Sequence, residues 1–435
     1  MSWDFETEPE FQEKLDWMDA FVRDEVEPLD DLWPEEIYPR PMDPTVLEIV
    51  RPLQEQVKAQ ELWACHLGPE LDGPGFGQLK LALMNEILGR SFWAPTIFGT
   101  QAPDTGNAEI LAHFGTQEQK DRFLQPLLDG DIVSSYSMTE PQGGSDPAGF
   151  TCSARRDGED WVIDGWKFFS SHARWASFLV LLARTDPEAS VHDAFSMFLV
   201  PADTPGVEIV RNIGVYGEAE DEGAHALVHY DHVRIPGDCL LGDAGDGFGV
   251  AQVRLGGGRV HHAMRAVGIC QRALDMMCER ALSRMTRGSL LADKQTVQGY
   301  IGDSWAELQQ YRLLVLQTAW KIDRYQDYAK VREDIAAIKI LAPKLIRDIV
   351  GRSIQVHGAL GISNELDLAR LFLVQFITGF SDGPSEIHQA TLVRRVLKRY
   401  EPAPGLWPTQ HLPSLRAESE AHIASRLAAL GVPSA

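Results

Sequence analysis

The sequence is poor in cysteine and in basic residues and has no long apolar run. Its five cysteines (Cys65, Cys152, Cys239, Cys270 and Cys278) are odd in number and nowhere form C-x-x-C. That argues against a disulfide framework or a zinc ribbon and favours a reducing compartment. Only 40 Lys and Arg oppose 63 Asp and Glu, a formal charge of −23, so most of the surface repels phosphate backbones and anionic headgroups. Nucleic acid and membrane surfaces are therefore poor partners. A small phosphorylated anion stays admissible, because a few arginines and helix N-termini decide its binding locally. No segment approaches the ~20 apolar residues of a membrane span. The N-terminus, Met1-Ser2-Trp3-Asp4-Phe5-Glu6, lacks the apolar stretch of a signal peptide, and Pro433-Ser434-Ala435 lacks a peroxisomal address, so a cytoplasmic chain is expected. There is no G-x-S-x-G elbow, no Walker loop and no G-x-G-x-x-G opening a βαβ unit, which leaves hydrolase, kinase and nucleotide-Rossmann readings without support.

What is present is a chain of 435 residues with 44% hydrophobic content, enough for two or three sub-domains. Phe11, Leu15, Met18, Phe21 and Val22 share a helical face, Leu79 to Leu88 repeats the pattern, and Thr116-Gln117-Glu118-Gln119 reads as a capping box before Phe123, Leu124 and Leu127. From about Ser134 the texture turns to short β-prone runs (Trp161-Val162-Ile163, Phe178 to Leu182, Phe195 to Val200), with Asp157-Gly158 and Asp164-Gly165 as tight turns. The helical period returns after Gly247, where Ile338, Leu341, Leu345 and Ile349 line one stripe. The fold class is α+β: a helical domain over 1–133, a β-barrel-like domain over 134–247, a four-helix bundle over 248–400 and an extension over 401–435 that docks or frays.

The richest segment is Tyr136-Ser137-Met138-Thr139-Glu140-Pro141-Gln142-Gly143-Gly144-Ser145-Asp146, a Gly-rich loop with two hydroxyls. Such a loop approaches a flat polar ring closely, since glycines remove Cβ obstruction and free backbone N–H groups, while Thr139 and Ser145 add adaptable donors. Taken alone it is equally a turn-rich β loop. The segment resembles the Thr-Glu-Pro-x-x-Gly-Ser signature of the acyl-CoA dehydrogenase family, and further matches follow in order. Gly165-Trp166-Lys167-Phe168-Phe169-Ser170-Ser171 is similar to the family's second flavin segment, with Phe169 in the aromatic place and Ser171 in the hydroxyl place. Arg254 to His262 resembles the opening of the long C-terminal helix whose arginine, here Arg259, reaches CoA. Arg284-Met285-Thr286-Arg287-Gly288, Gln295 and Gln355-Val356-His357-Gly358 resemble segments that contact FAD phosphates across a subunit interface. Ser381-Asp382-Gly383-Pro384-Ser385-Glu386-Ile387 resembles the catalytic acid-Gly-Thr motif.

The resemblance, over roughly residues 10 to 400, implies FAD as cofactor, an acyl-CoA substrate, electron-transferring flavoprotein as acceptor and a homodimer or homotetramer. It implies Tyr136, Met138, Thr139, Gly144, Ser145, Phe169, Ser171, Arg284, Gln295, Gln355, Gly358, Ser385 and Glu386 as flavin-binding, Ser145, Arg259 and Gly383 as substrate-binding, and Asp382 as the base. Three residues depart from the common pattern: Asp382 stands for Glu, Pro384 for Thr and Arg287 for Phe. Lys167-Phe168-Phe169-Ser170-Ser171, the Gly258-Arg259-Val260-His261-His262 turn and Asp382-Gly383-Pro384 together resemble the subgroup of human family members ten and eleven, which act on longer or hydroxylated acyl-CoAs and carry a kinase-like domain for which this chain has no room. Desaturation needs a base at the acyl α-carbon and a hydride acceptor at the β-carbon, with the thioester oxygen polarised by an N–H; Asp382, FAD and the Asp382 N–H take these places in the resemblance. A free Asp has a pKa of about 3.9, so a dry site must raise it.

The histidines admit plainer readings. His225, His229 and His232 sit in a β-prone run whose spacing is expected to put them on different faces, so no metal is expected. His261 and His262, at the helix opening, cap, pack or transfer protons; His357 packs or touches the flavin surroundings. Two rival functions remain: a nitroalkane-oxidase-like or other flavin oxidase with an Asp base, and a flavin-free, non-catalytic scaffold.

Overall fold

A computed structural model of the chain describes residues 6–33, 44–68, 73–215, 218–219 and 223–431. It divides into two compact units, 1–389 and 390–435. In the first, helix α1 (Pro9–Phe21) buries Phe11, Leu15, Met18 and Phe21 on one face. It is followed by α2 (Pro44–Ala59), α3 (Gly77–Leu88) and α4 (Asp104–Phe114). The Thr116 capping box forms in both directions: Thr116 Oγ1 accepts from the Gln119 N–H at 3.2 Å, and Gln119 Oε1 accepts from the Thr116 N–H at 3.1 Å.

The middle of the chain is one eight-stranded mixed sheet: β1 (Ser134–Ser137), β2 (Ser153–Asp157), β3 (Asp160–Lys167), β4 (Phe178–Arg184), β5 (Phe195–Pro201), β6 (Val207–Ile213), β7 (His225–Ile235) and β8 (Leu240–Leu241). The order is β6-β7-β3-β2-β4-β5-β8, with β1 parallel to β4. Phe178, Val180 and Leu182 pack with α4, while the alternate residues Leu179, Leu181 and Ala183 pack with Ile163, Val228 and Tyr230 from β3 and β7. Strands buried on both faces, with β4 and β7 enclosing one core, curl the sheet toward a barrel. Asp157-Gly158 makes the expected β2–β3 hairpin, but Asp164-Gly165 is not a turn. Both residues lie inside β3, where the register shifts at Gly165 with φ 143°, and a Cβ there would come 2.6 Å from Cys152 Cα. The Asp-Gly pair therefore marks a bulge, the other use of glycine in a strand.

Helices α5 (Gly247–Ser283), α6 (Gln295–Tyr325), α7 (Tyr328–His357) and α8 (Leu368–Phe380) then pack in sequence and share one core with α1 and α3. In α7 the buried stripe runs through Ile338, Ala342, Leu345, Ile346 and Ile349, whereas Leu341 is 40% exposed. At 100° per residue Leu341 lies about 60° from Ile338, on the edge of the stripe. A two-stranded ribbon, β9 (Met285–Thr286) with β10 (Ser289–Leu290), joins α5 to α6. Helix α9 (Ser385–Leu397) begins in the first unit and ends in the second. The second unit also holds α10 (Leu412–Ala429), which buries no residue. No helix among the described residues is long and apolar enough to cross a membrane.

Candidate active site

Between α8 and α9 the chain reverses within Ser381-Asp382-Gly383-Pro384, and Asp382 (φ 55°) and Gly383 (φ 102°) are both left-handed. Left-handed backbone costs an L-residue of the order of 1 kcal/mol, so other contacts must hold it. They converge on the Asp382 carbonyl, which accepts from Arg259 Nε at 2.9 Å and lies 3.3 Å from His388 Nε2. A Cβ on Gly383 would meet His388 Nε2 at 3.2 Å. Among the described residues the Asp382 N–H makes no hydrogen bond, which leaves it free to donate.

The Asp382 carboxylate lies on one stripe of α5. Its Oδ1 is 3.7 Å from Arg254 Nη1 and its Oδ2 3.6 Å from His262 Nε2. A Cβ on Gly258 would fall 2.5 Å from Oδ2. Arg254, Gly258 and His262 are four residues apart, which stacks them on one helix face. The neighbouring Gly257 makes a second notch, where a Cβ would come 2.9 Å from Glu109 Oε2. Burial raises the Glu109 carboxyl to about 7 against the pull of Arg254. Glycine costs a helix interior about 1 kcal/mol each, so here two of them are explained by the carboxylates they admit. The expected helix opening at Arg254 to His262 is thus an interior: α5 starts at Gly247, and His261 and His262 cap nothing. His261 packs edge-on against His66, 6.2 Å between ring centroids.

Across from this stripe lie two loops of the sheet. Tyr136 carries the Arg254 guanidinium 3.8 Å above its ring, and Arg254 Nε donates to Asn107 Oδ1 at 3.0 Å. The Phe168 N–H donates to the Thr139 carbonyl at 2.9 Å, Tyr136 bridges to Ser171, and the Ser137 and Ser170 hydroxyls meet at 3.0 Å. Beneath them Lys167 Nζ reaches the Met138 carbonyl and Glu140 Oε1, both at 2.8 Å, and Glu140 also accepts from the Thr151 and Cys152 N–H groups. This wholly buried ion pair fixes the shape of the Gly-rich loop. Around it Gly144 and Ser145 are exposed, Trp166 is 41% exposed and Phe169 45%, the latter at a left-handed φ of 55°. Ser171 Oγ lies 2.9 Å from His225 Nδ1. Open aromatic surface beside hydroxyls and free loop backbone suits a flat ring system with a polar rim, so the residues fit a flavin.

The structure thus brings Tyr136, Met138, Thr139, Phe169, Ser171, Arg254, Arg259 and Asp382 into one region. Arg284, Gln295, Gln355 and Gly358 are all exposed, on β9's approach, at the start of α6 and at the end of α7. Ser385 Oγ reaches back to the Gly379 carbonyl at 3.5 Å, and Glu386 is exposed in the first turn of α9. His357 is buried with Nδ1 2.8 Å from the Ser353 carbonyl, a packed helix residue. His225 and His229 share a face of β7, since a spacing of four preserves strand parity, but His229 stacks on Trp166 at 4.0 Å. His232 lies apart, grouped with half-buried Asp164 and exposed Asp231. Sequence reasoning gave no role to Arg254, Gly258, Glu109 or the Glu140–Lys167 pair; the four-residue spacing from Arg254 to His262 was the available signal for the first two.

An α–β–α chain whose carboxylate faces a flavin-shaped loop pair defines a flavin-dependent dehydrogenase class. The chain belongs to the acyl-CoA dehydrogenase family: models of the N-terminal, middle and C-terminal acyl-CoA dehydrogenase domains match residues 8–131, 135–230 and 245–397. FAD is the cofactor of this class and fits the loops described. FadE2 of Mycobacterium tuberculosis, named as a probable acyl-CoA dehydrogenase, is 42% identical over 363 residues, 82% of this chain and 88% of its own. Acyl-CoA dehydrogenase family member 11 of Rattus norvegicus is 41% identical over 355 residues, 80% of this chain, which spans only 45% of that relative's length. A solved Mycobacterium abscessus structure superimposes with a TM-score of 0.85 at 33% identity, covering 91% of this chain and all of that one.

Proposed function

We propose that the chain desaturates an acyl-CoA thioester between C2 and C3 to the 2-enoyl-CoA, with Asp382 as the base that takes the α-proton. The observation that carries this reading is a carboxylate held by a strained turn in a groove of α5, next to the Arg254 guanidinium that lies over the Tyr136 ring at the start of the Gly-rich loop. FAD, when bound, supplies the hydride acceptor at its N5. The Asp382 N–H takes the role of donor to the thioester oxygen as enolate charge develops. Arg259 serves both the CoA end and the Asp382 carbonyl, so it binds substrate and holds the base turn together. The exposed Arg284, Gln295, Gln355 and Gly358 reach the FAD phosphates of a neighbouring subunit in a homodimer or homotetramer. Exposed Phe376 and Phe380 on α8 support such an assembly. Electrons pass on to an electron-transferring flavoprotein, and five free cysteines suit a cytoplasmic setting.

The experiment is anaerobic flavin bleaching by a panel of acyl-CoAs in the parent and in Asp382→Asn, which keeps size and removes basicity. The expected result is retained FAD, retained acyl-CoA binding and bleaching slower by about a thousandfold or more. Bleaching at the parent rate would show that the base is elsewhere.

A further inference from the structure

We propose that His262 is the positioning residue of the base, its imidazole presenting Nε2–H to Oδ2 of Asp382 and holding the carboxylate in the Gly258 notch so that Oδ1 takes the α-proton. This rests on the reading of Asp382 as the base. An aspartate arm is one methylene, about 1.5 Å, shorter than a glutamate's, so its oxygens need a defined seat to reach a substrate carbon. The notch supplies the floor: Oδ2 occupies the space that any Cβ at residue 258 would fill. The two flanking groups are unlike. Arg254 is committed to Asn107 and to the Tyr136 ring, and it stands 3.7 Å from Oδ1. His262 faces Oδ2 at 3.6 Å, slightly beyond hydrogen-bond length, a gap that a small shift of either side chain would close.

The state of the imidazole follows from what surrounds it. Burial lowers its pKa to about 4, opposed by Asp382 and aided by Lys339 of α7 and by Arg265 and Arg254 of α5. His172, from the loop after β3, lines the same 140 Å³ cavity as His262, Arg265 and Thr378. Lys339 is itself tied to the Thr378 carbonyl. With three cations nearby, His262 is neutral at working pH. It therefore offers the carboxylate a hydrogen bond without an ion pair, and it does not compete for the proton. In the step, the α C–H bond breaks as the O–H bond to Oδ1 forms, the electron pair remains on the substrate as the enolate, and His262 neither gains nor loses a proton.

The test uses the FAD-loaded enzyme and a 3-thiaacyl-CoA, whose sulfur at position 3 carries no hydride to transfer, so only α-deprotonation is read. Wash-in of deuterium at the α-carbon is followed by mass spectrometry from pH 5 to 9, with the Kd of the same compound. His262→Phe keeps the ring and removes the N–H. Its exchange is expected to fall at least tenfold, with the acidic limb of the profile moved up by about one pH unit and the Kd changed less than twofold. His262→Gln, which returns an N–H near the place of Nε2, is expected to recover to within about threefold of the parent. Should His262→Phe not fold, His262→Leu replaces it. Parental exchange and profile in the apolar variant would overturn the proposal, as would a His262→Gln variant as slow as the apolar one, which would assign the effect to packing. Asp382→Asn run alongside separates the two readings: its exchange at the parent rate removes the base itself, whatever His262 does.

Discussion

Gly258 shows how one missing methyl group makes room for the Asp382 carboxylate. Its substitution by Ala has two effects of opposite sign. Alanine is the better helix former by about 1 kcal/mol, and the atom it meets is the end of a movable side chain, so unfolding should occur at an equal or higher temperature. The Asp382 carboxylate must move by about 1 Å to clear a contact of 2.5 Å, and a misplacement of that size costs about a hundredfold in rate. Gly258→Ala is therefore expected to raise Tm slightly and to slow flavin bleaching by about two orders of magnitude with FAD still bound. Calorimetry and rapid-mixing absorbance measure the two, and an unchanged rate would remove the notch from the argument. Asp382 was legible in the sequence from its motif. Its partners were not, because Arg254 and His262 acquire a role only when a residue more than a hundred positions away lands between them.

Loops that face a cofactor need rigidity that their own glycines cannot give. Here the pillar is Lys167 at the end of β3, wholly buried against Glu140. Lys167→Met leaves the carboxylate buried and unpaired, which costs about 3–5 kcal/mol. The expected outcome is a lower Tm and FAD lost on gel filtration, with Glu140→Gln/Lys167→Met milder than Lys167→Met alone. An equally destabilised double variant would show that the pair adds nothing to the loop. The elements themselves were largely readable: short β-prone runs between Gly and Pro punctuation gave β3, β4 and β5, and the capping box at Thr116 forms as expected. What misled was glycine. Asp164-Gly165 looked like a turn and is a bulge, and the segment from Arg254 to His262, matched by resemblance to a helix opening, lies with its three glycines inside α5. Local propensity reports that glycine is tolerated, and only the neighbour in space says why.

For the whole molecule, neutral histidines with little contact with water set the response to acid. Burial lowers His66 to about 3 and His225, His262 and His388 to about 4, and it holds His261 well below the ordinary value. The unfolded chain protonates all five as pH falls through about 6.5, while the folded chain does not, so each draws stability away by up to 1.4 kcal/mol per pH unit until its own folded pKa is reached. Three carboxyls act in the opposite sense. Asp30, raised to about 6, Glu109, raised to about 7, and Glu86, pushed up by burial against the pull of Arg312, bind protons in the folded state first, and their contribution improves on acidification. Five against three gives a net loss, and Tm is expected to fall between pH 6.5 and 4.5 at fixed FAD. A flat or rising Tm across that window would mean that these histidines are not neutral in the folded chain.

The sequence by itself determined the α–β–α order and the family and named the candidate flavin loops and candidate base, because each rests on periodicity or on a contiguous motif. Tertiary structure alone decided what surrounds the Asp382 carboxylate: a glycine notch, an arginine that also lies over Tyr136, and His262, brought together from α5 and the turn after α8. Contacts of that kind depend on where two helices pass within a few ångströms, and linear spacing carries that information only after the fold has chosen which faces meet.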